Sequence, residues 1–126
     1  MKSTILVIDD DQPMLWLIKQ ILKDHEVICK TDGLAAMLWL SKGNFPDLII
    51  LDKEMPNLGG KKFLRGLRGS GMYKDIPVLI ISGWSDRELE NDLASLTVKE
   101  YIEKPFDPTY LSEKVDHYLH QHTLIK

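Results

Sequence analysis

The chain of 126 residues suits one domain with one core, and its 44% apolar and 28% charged residues are ordinary for a folded protein. Its net charge of −3 gives no general reason to expect nucleic-acid binding, and the single cysteine, Cys29, excludes an internal disulfide and fits a reducing compartment. No apolar run approaches the roughly 20 residues that span a bilayer, and no signal peptide is present, so we expect a cytoplasmic protein that contacts neither membrane nor nucleic acid.

Five short strand-like stretches alternate along the chain with five stretches of helical periodicity. Residues 5–8 and 48–52 are apolar runs bounded by turn residues, which indicates strands buried on both faces of a parallel sheet, whereas the second strand is short and the fifth is weaker. The five strand-like stretches span residues 5–8, 26–30, 48–52, 77–81 and 98–102. Helices are predicted over about 13–23, 34–41 and 58–67, from Ser85 onward, and over about 108–120, with a frayed tail after that.

This order predicts an α/β fold of the flavodoxin-like, doubly wound type, (βα)5, with a five-stranded parallel sheet. Right-handed crossovers restrict the topology, and the flavodoxin-like strand order 2-1-3-4-5 places the first and third strands side by side. The inner face of the first helix is predicted to consist of Met14, Leu17, Ile18, Ile21 and Leu22. Trp16 points away from that face.

Four of the five predicted strands end in polar or charged residues, namely Asp9 and Asp10, Asp52, Ser82, and Lys104. The carboxyl ends of parallel strands form the ligand-binding edge of such a sheet, so these side chains should converge there. Three carboxylates at one point repel each other, and a hard divalent cation such as Mg²⁺ would compensate their charge. The hydroxyl and the ammonium opposite them suit an oxyanion such as a phosphoryl group.

Four motifs carry this constellation: Ile8-Asp9-Asp10, Asp52-Lys53-Glu54-Met55-Pro56, Ile81-Ser82-Gly83 and Tyr101-Ile102-Glu103-Lys104-Pro105-Phe106. In this order, and on these elements, they resemble the receiver domain of response regulators in bacterial two-component systems. The resemblance covers essentially the whole chain. It implies that residues 1–126 form a single receiver domain, a phosphoprotein module of signal transduction rather than an enzyme.

The resemblance further implies that Asp52 is the phosphoacceptor. Asp9, Asp10 and Asp52, together with the main-chain carbonyl of Glu54, would bind Mg²⁺, and Lys104 would pair with a phosphoryl oxygen. These roles agree with general chemistry, because a carboxylate can carry phosphate as an acyl phosphate and the transfer needs mainly positioning and charge neutralisation. The phosphate donor would be a histidine kinase or a phosphotransfer protein.

The same resemblance implies a switch. Ser82 would bond a second phosphoryl oxygen and move towards it, and Tyr101, at the aromatic switch position, would rotate inward. Pro105 would shape the turn after a peptide bond that is commonly cis in this family. The surface made by the predicted fourth helix, the fifth strand and the last helix would then change its affinity for an unknown downstream partner.

Several positions keep two interpretations. Glu54 and Trp84 match variable positions that influence dephosphorylation, and the Trp84 ring either hinders the attacking water or packs as a surface hydrophobe. Trp16 either helps to dock the phosphate donor or is a surface hydrophobe. Asp11 is interpreted as a helix cap rather than a metal ligand.

Two local departures from the family pattern concern loops. Gly59-Gly60 replaces the usual Asp-Gly, and the Gly-Ala common before the fifth strand is absent from residues 96–100.

The alternative function is a magnesium-dependent phosphohydrolase of the dehalogenase type, because Glu54 follows Asp52 at the spacing of a second acid. The chain leaves no room for a substrate cap, which argues against that alternative. A receiver that acts alone and a piece of a longer regulator both fit the sequence.

Overall fold

A computed structural model describes residues 2–52, 59–83 and 97–125. The elements in chain order are β1 (Thr4–Ile8), α1 (Gln12–Ile21), β2 (Glu26–Lys30), α2 (Gly33–Ser41), β3 (Leu48–Asp52), α3 (Gly60–Gly69), β4 (Val78–Ser82), β5 (Glu100–Glu103) and α4 (Pro108–Ile125). The helix predicted from Ser85 onward lies outside the described residues.

The five strands form one parallel sheet in the order β2-β1-β3-β4-β5. This confirms the predicted topology. All five residues of β3 are buried, because the strand lies at the centre of the sheet with helices on both sides. The register pairs Leu51 of β3 with Ile8 of β1 and with Ile80 of β4. The carboxyl ends of these three strands therefore lie at the same edge of the sheet.

Strand alternation divides the apolar residues between two cores, one on each side of the sheet. The first core joins β-strand side chains to the buried faces of α1 and α4, including Ile18, Leu111 and Val115. The second core joins the opposite strand faces to α2 and α3, including Leu40 and Phe63. Helices on both sides of a parallel sheet are the predicted doubly wound arrangement.

The predicted inner face of α1 was partly wrong. Leu15 is buried and belongs to the first core, whereas Leu17 is 37% exposed. Apolar residues occupy every position from Met14 to Ile18, so the periodicity alone did not fix the centre of the buried face. Packing of α1 against α4 selects the side that carries Leu15. Trp16 points to solvent as predicted, with 65% of its surface exposed.

Several element ends differ from the predictions. α3 begins at Gly60, two residues later than predicted, with Gly59 as its N-cap residue. α4 continues to Ile125 instead of fraying after about residue 120. Asp11 stands at the N-cap position of α1, but its side chain makes no capping hydrogen bond. In contrast, the Asp32 carboxylate accepts a hydrogen bond from the Ala35 amide at 2.7 Å and caps α2.

Cys29 is partly buried, whereas His117 and His120 lie at the surface of the protein. The Cys29 side chain packs against the first core, and burial raises the pKa of its thiol. His117 and His120 are exposed on α4. Among the helices in the described part of the chain, none is both long and apolar enough to cross a membrane.

Candidate functional site

Asp9 follows β1 directly and is nearly inaccessible to solvent, with 2% of its surface exposed. Its amide donates a hydrogen bond to the Lys30 carbonyl at 3.1 Å, so the residue continues the pairing of β1 with β2. Its Oδ1 accepts a hydrogen bond from the Asp11 amide at 2.9 Å, and its Oδ2 lies 3.2 Å from Lys104 Nζ. Both carboxylate oxygens therefore have a donor, as a buried carboxylate requires.

Asp9, Asp10 and Asp52 form one carboxylate cluster at the carboxyl edge of the sheet. Each offers a carboxylate oxygen, and these oxygens lie within 4.8 Å of one another. Asp9 and Asp52 are buried, whereas Asp10 is exposed. Hard oxygen donors at this separation fit a hard divalent cation such as Mg²⁺, which binds through few carboxylates and keeps several of its waters. The residues present therefore fit the metal that the sequence predicted.

Lys104 connects β5 to the same cluster. Its Nζ lies 3.2 Å from Asp9 Oδ2 and 3.7 Å from Asp52 Oδ1, and its side chain is 20% exposed. The Lys104 amide donates a hydrogen bond to the Ser82 carbonyl at 2.7 Å, which extends the pairing of β5 with β4. The Lys104–Pro105 peptide bond is cis, as predicted. One ammonium thus faces two buried carboxylates and offsets part of their mutual repulsion.

Ser82 and Tyr101, the two predicted switch residues, lie on the adjacent strands β4 and β5. Ser82 is the last residue of β4, one position beyond Ile81, which pairs with Asp52. Tyr101 pairs with Ile80 and is half-buried against the second core. The backbone therefore places Ser82 beside the acceptor position and Tyr101 further back on the neighbouring strand.

Glu54 and Trp84, the predicted modulating residues, lie outside the described residues, and so does the predicted metal contact of the Glu54 carbonyl. The structure thus brings Asp9, Asp10, Asp52 and Lys104 together at one edge.

Sequence reasoning did not predict a polar network that links β5 to α4. Glu100 Oε2 accepts a hydrogen bond from Tyr118 OH at 2.8 Å and lies 3.7 Å from Lys114 Nζ. Tyr110 OH lies 3.4 Å from Glu100 Oε1, and Lys114 Nζ lies 5.4 Å from the centre of the Tyr110 ring. Burial and the hydrogen bond to Glu100 raise the pKa of Tyr118 to about 12. Strand alternation is the one sequence signal that points to this network, because it turns Glu100 and the adjacent Tyr101 to opposite faces of the sheet.

A cleft of about 500 Å³ lies away from the carboxylate cluster, near the amino ends of β4 and β5. Its lining includes Phe45, Arg68, Met72, Pro77 and Thr97, but none of the predicted site residues. The carboxylate cluster instead sits at an open edge of the sheet, where Asp10 is exposed. The chemistry of the side chains, rather than the size of the cleft, identifies the candidate site.

Comparison with known proteins agrees with this geometry. The family model described as the response regulator receiver domain matches residues 5–116. Chemotaxis protein CheY-3 of Vibrio cholerae is 36% identical over 115 residues, which cover 89% of this chain and 88% of that protein.

Solved structures show the same likeness. The fold matches a response regulator of Chloroflexus aurantiacus with a TM-score of 0.88 and 25% identity, over 95% of this chain and 99% of that one. It also matches the phosphorylated cyanobacterial phytochrome response regulator RcpA, with a TM-score of 0.81 and 27% identity, over 93% and 91% of the two chains. The chain therefore belongs to the family of response regulator receiver domains, which are signalling domains that generally bind Mg²⁺ and interact with histidine kinases and downstream effectors.

Proposed function

We propose that the chain accepts one phosphoryl group on Asp52 from a histidine kinase or a phosphotransfer protein and thereby switches a partner-binding surface. The observation that supports this most strongly is the convergence of three carboxylates and the Lys104 ammonium at one edge. Asp9 and Asp10, the two carboxylates beside the proposed acceptor Asp52, differ in their surroundings. Both oxygens of Asp9 already have donors within the protein, and Asp10 is exposed at the rim.

In the proposed transfer, a carboxylate oxygen of Asp52 forms a bond to phosphorus. The P–N bond to the donor imidazole breaks, and the imidazole nitrogen keeps the electron pair and takes up a proton. The product is an acyl phosphate on Asp52. Lys104 Nζ lies 3.7 Å from Asp52 Oδ1 and would pair with one oxygen of the transferred phosphoryl group. The Ser82 hydroxyl would donate a hydrogen bond to a second phosphoryl oxygen.

Asp9, Asp10 and Asp52, with the main-chain carbonyl of Glu54, would hold Mg²⁺ in this proposal. The bound ion would neutralise charge on the carboxylates and on the phosphoryl oxygens. Asp9 would also orient Lys104, because it is the nearer of the two carboxylates to the ammonium. One of the matched receivers, RcpA, has been solved in a phosphorylated form, which supports the proposal by similarity.

In the proposed switch, changes at Ser82 and Tyr101 alter the surface made by the helix predicted from Ser85 onward, β5 and the last helix, α4. Tyr101 is half-buried, so inward rotation would change both the packing of the second core and the outer surface of β5. Its neighbour Glu100 is joined to α4 by Tyr118 and Lys114. Movement of β5 would therefore reach α4 through these contacts. Glu54 and Trp84 are proposed to modulate loss of the phosphoryl group.

The experiment is incubation with acetyl phosphate, with Mg²⁺ or with EDTA, followed by intact mass spectrometry. The proposal predicts one phosphoryl group per chain that requires Mg²⁺ and is absent in Asp52→Asn. The matched control is Asp11→Asn, which removes a carboxylate near the site but outside the cluster and should label normally. Equal labelling of Asp52→Asn and wild type would contradict the proposal. Sustained hydrolysis of p-nitrophenyl phosphate without a stable label would favour the dehalogenase-type alternative.

A further inference from the structure

The helices α2 and α3 lie side by side on one side of the sheet, and each contributes buried residues to the second core. The two helices are in contact at Gly66, where an added Cβ would lie 2.7 Å from Met37 Cε. Gly66 is exposed even though α2 approaches it so closely. Because Gly66 has no side chain, Met37 of α2 packs directly against the backbone of α3 at this point. We use the word groove for the surface of α2 and α3 on either side of this contact.

One wall of this groove is apolar. Residues 33–46 contain no acidic side chain, and α2 itself carries no charged residue. While Gly33, Ala36 and Leu40 are buried, Leu34 and Leu38 are 53% and 56% exposed. The two leucines are four positions apart and therefore adjacent on the helix surface, on the same side as Met37. An ordinary surface helix would carry polar residues at such positions.

The other wall is cationic. Residues 60–74 contain five basic and no acidic side chains, although the whole chain has a net charge of −3. Lys62 and Arg65 are exposed, and Lys62 lies one helical turn before Gly66 and thus on the groove side of α3. Within the described ranges, neither Lys62 nor Arg65 has an ion-pair partner. The groove between α2 and α3 is therefore lined by leucines on one side and by cations on the other.

We propose that this groove is a docking site for an acidic amphipathic helix of a partner protein. Such a helix would place apolar side chains on Leu34 and Leu38 and carboxylates beside Lys62 and Arg65. Charge complementarity selects an acidic occupant, and the exposed leucines select one with an apolar stripe, which a nucleic-acid backbone lacks. The site is distinct from the carboxylate cluster, because none of the four lining residues belongs to it.

The test uses a fluorescent synthetic peptide of about 15 residues, enough for four helical turns, with one leucine stripe flanked by glutamates. A matched peptide carries lysines in place of the glutamates. Fluorescence anisotropy with the unphosphorylated full chain should show binding of the acidic peptide, weakened by salt, and binding of the basic peptide at least about tenfold weaker.

Two double variants test the two walls of the groove. Leu34→Ser with Leu38→Ser, and Lys62→Glu with Arg65→Glu, should each weaken binding of the acidic peptide by about tenfold or more. The charge-reversed protein should gain affinity for the basic peptide, which also shows that it is folded. The control, Lys19→Glu with Lys23→Glu, reverses two exposed charges on or beside α1, on the other side of the sheet, and should bind like wild type.

Three results would overturn the proposal. Equal binding of the acidic and basic peptides would remove its electrostatic basis. Binding to vesicles containing phosphatidylglycerol, without binding of the acidic peptide, would assign the surface to a membrane. A dimer in sedimentation velocity that the Lys62→Glu, Arg65→Glu variant abolishes would make a second copy of the chain the occupant.

Discussion

At the scale of single residues, Asp9 shows how the site is held together before any ligand binds. Its two carboxylate oxygens take one backbone donor, from Asp11, and one ammonium donor, from Lys104. Lys104 in turn lies near Asp52, so its ammonium offsets charge on two carboxylates. Asp10 lies beside them at the exposed rim. The arrangement therefore keeps residual carboxylate repulsion that a divalent cation would relieve.

This repulsion predicts an opposite effect of Asp10→Asn on stability and on metal affinity. In EDTA, the substitution should raise the free energy of unfolding by up to about 1 kcal/mol, because it removes one of three negative charges that face each other. In the same variant Mg²⁺ should bind more weakly, so that added Mg²⁺ stabilises it less than wild type. Urea unfolding of both proteins in EDTA and in Mg²⁺ measures both effects. Lower stability of the variant in EDTA would show that repulsion at Asp10 is unimportant.

Tyr118 predicts a specific loss of stability at alkaline pH. Burial and the hydrogen bond to Glu100 raise its pKa to about 12, above the ordinary value of about 10. A raised pKa means that the folded state holds the proton more tightly, so the stabilisation is complete below pH of about 10 and is lost as pH rises towards about 12. Tyr118→Phe should therefore show a shallower decline in this range. Urea unfolding at several pH values checks this, and identical slopes would contradict it.

At the scale of elements, the segment before β5 has an unusual backbone at Thr97. The Gly-Ala that is common before this strand in the family is absent from the chain. Thr97 has φ of +60°, in the left-handed region that favours glycine. Its carbonyl accepts a hydrogen bond from Arg68 Nη2 at 3.0 Å, and Arg68 Nη1 also donates to the carbonyls of Lys74 and Ile76. Arg68 thus ties the start of β5 to the segment before β4 and helps to hold a backbone conformation that disfavours a β-branched residue.

Thr97→Gly should therefore stabilise the protein by roughly 0.5–1 kcal/mol, because relief of the left-handed conformation exceeds the added entropy of the unfolded chain. Val98→Gly is the matched control. Val98 is half-buried against the second core, so its loss should destabilise the protein. Chemical denaturation of the three proteins tests the prediction. If Thr97→Gly were as destabilising as Val98→Gly, the backbone at residue 97 would not be strained.

The elements also show what sequence can predict. A strand such as β3 can be predicted from residues 48–52, because an unbroken apolar stretch before a carboxylate is typical of a buried strand in a parallel sheet. The buried face of α1 was less certain because five consecutive apolar residues fit more than one helical face. The network around Glu100 and the Arg68 bridge join residues far apart in the chain, and their partners depend on three-dimensional packing that periodicity does not encode.

At the scale of the whole molecule, the fold separates two chemically different surfaces. The carboxyl edge of the sheet gathers Asp9, Asp10 and Asp52 around Lys104. The groove between α2 and α3 instead combines cations with exposed leucines. The first surface could be predicted from strand ends alone, because topology brings the ends of parallel strands together. The second required the contact of Gly66 with α2, which sequence spacing does not reveal.

We propose above all that Asp52 carries the phosphoryl group, that Asp9 and Asp10 help it to bind the cation, and that Lys104 neutralises negative charge on the phosphoryl oxygens. The most direct measurement is borohydride reduction of protein labelled with acetyl phosphate and Mg²⁺, followed by peptide mass spectrometry. Reduction converts an aspartyl phosphate into homoserine and so records its position. We predict homoserine at residue 52 in wild type and none in protein labelled in EDTA. Homoserine at residue 9 or 10, or full labelling without any change at residue 52, would contradict the account.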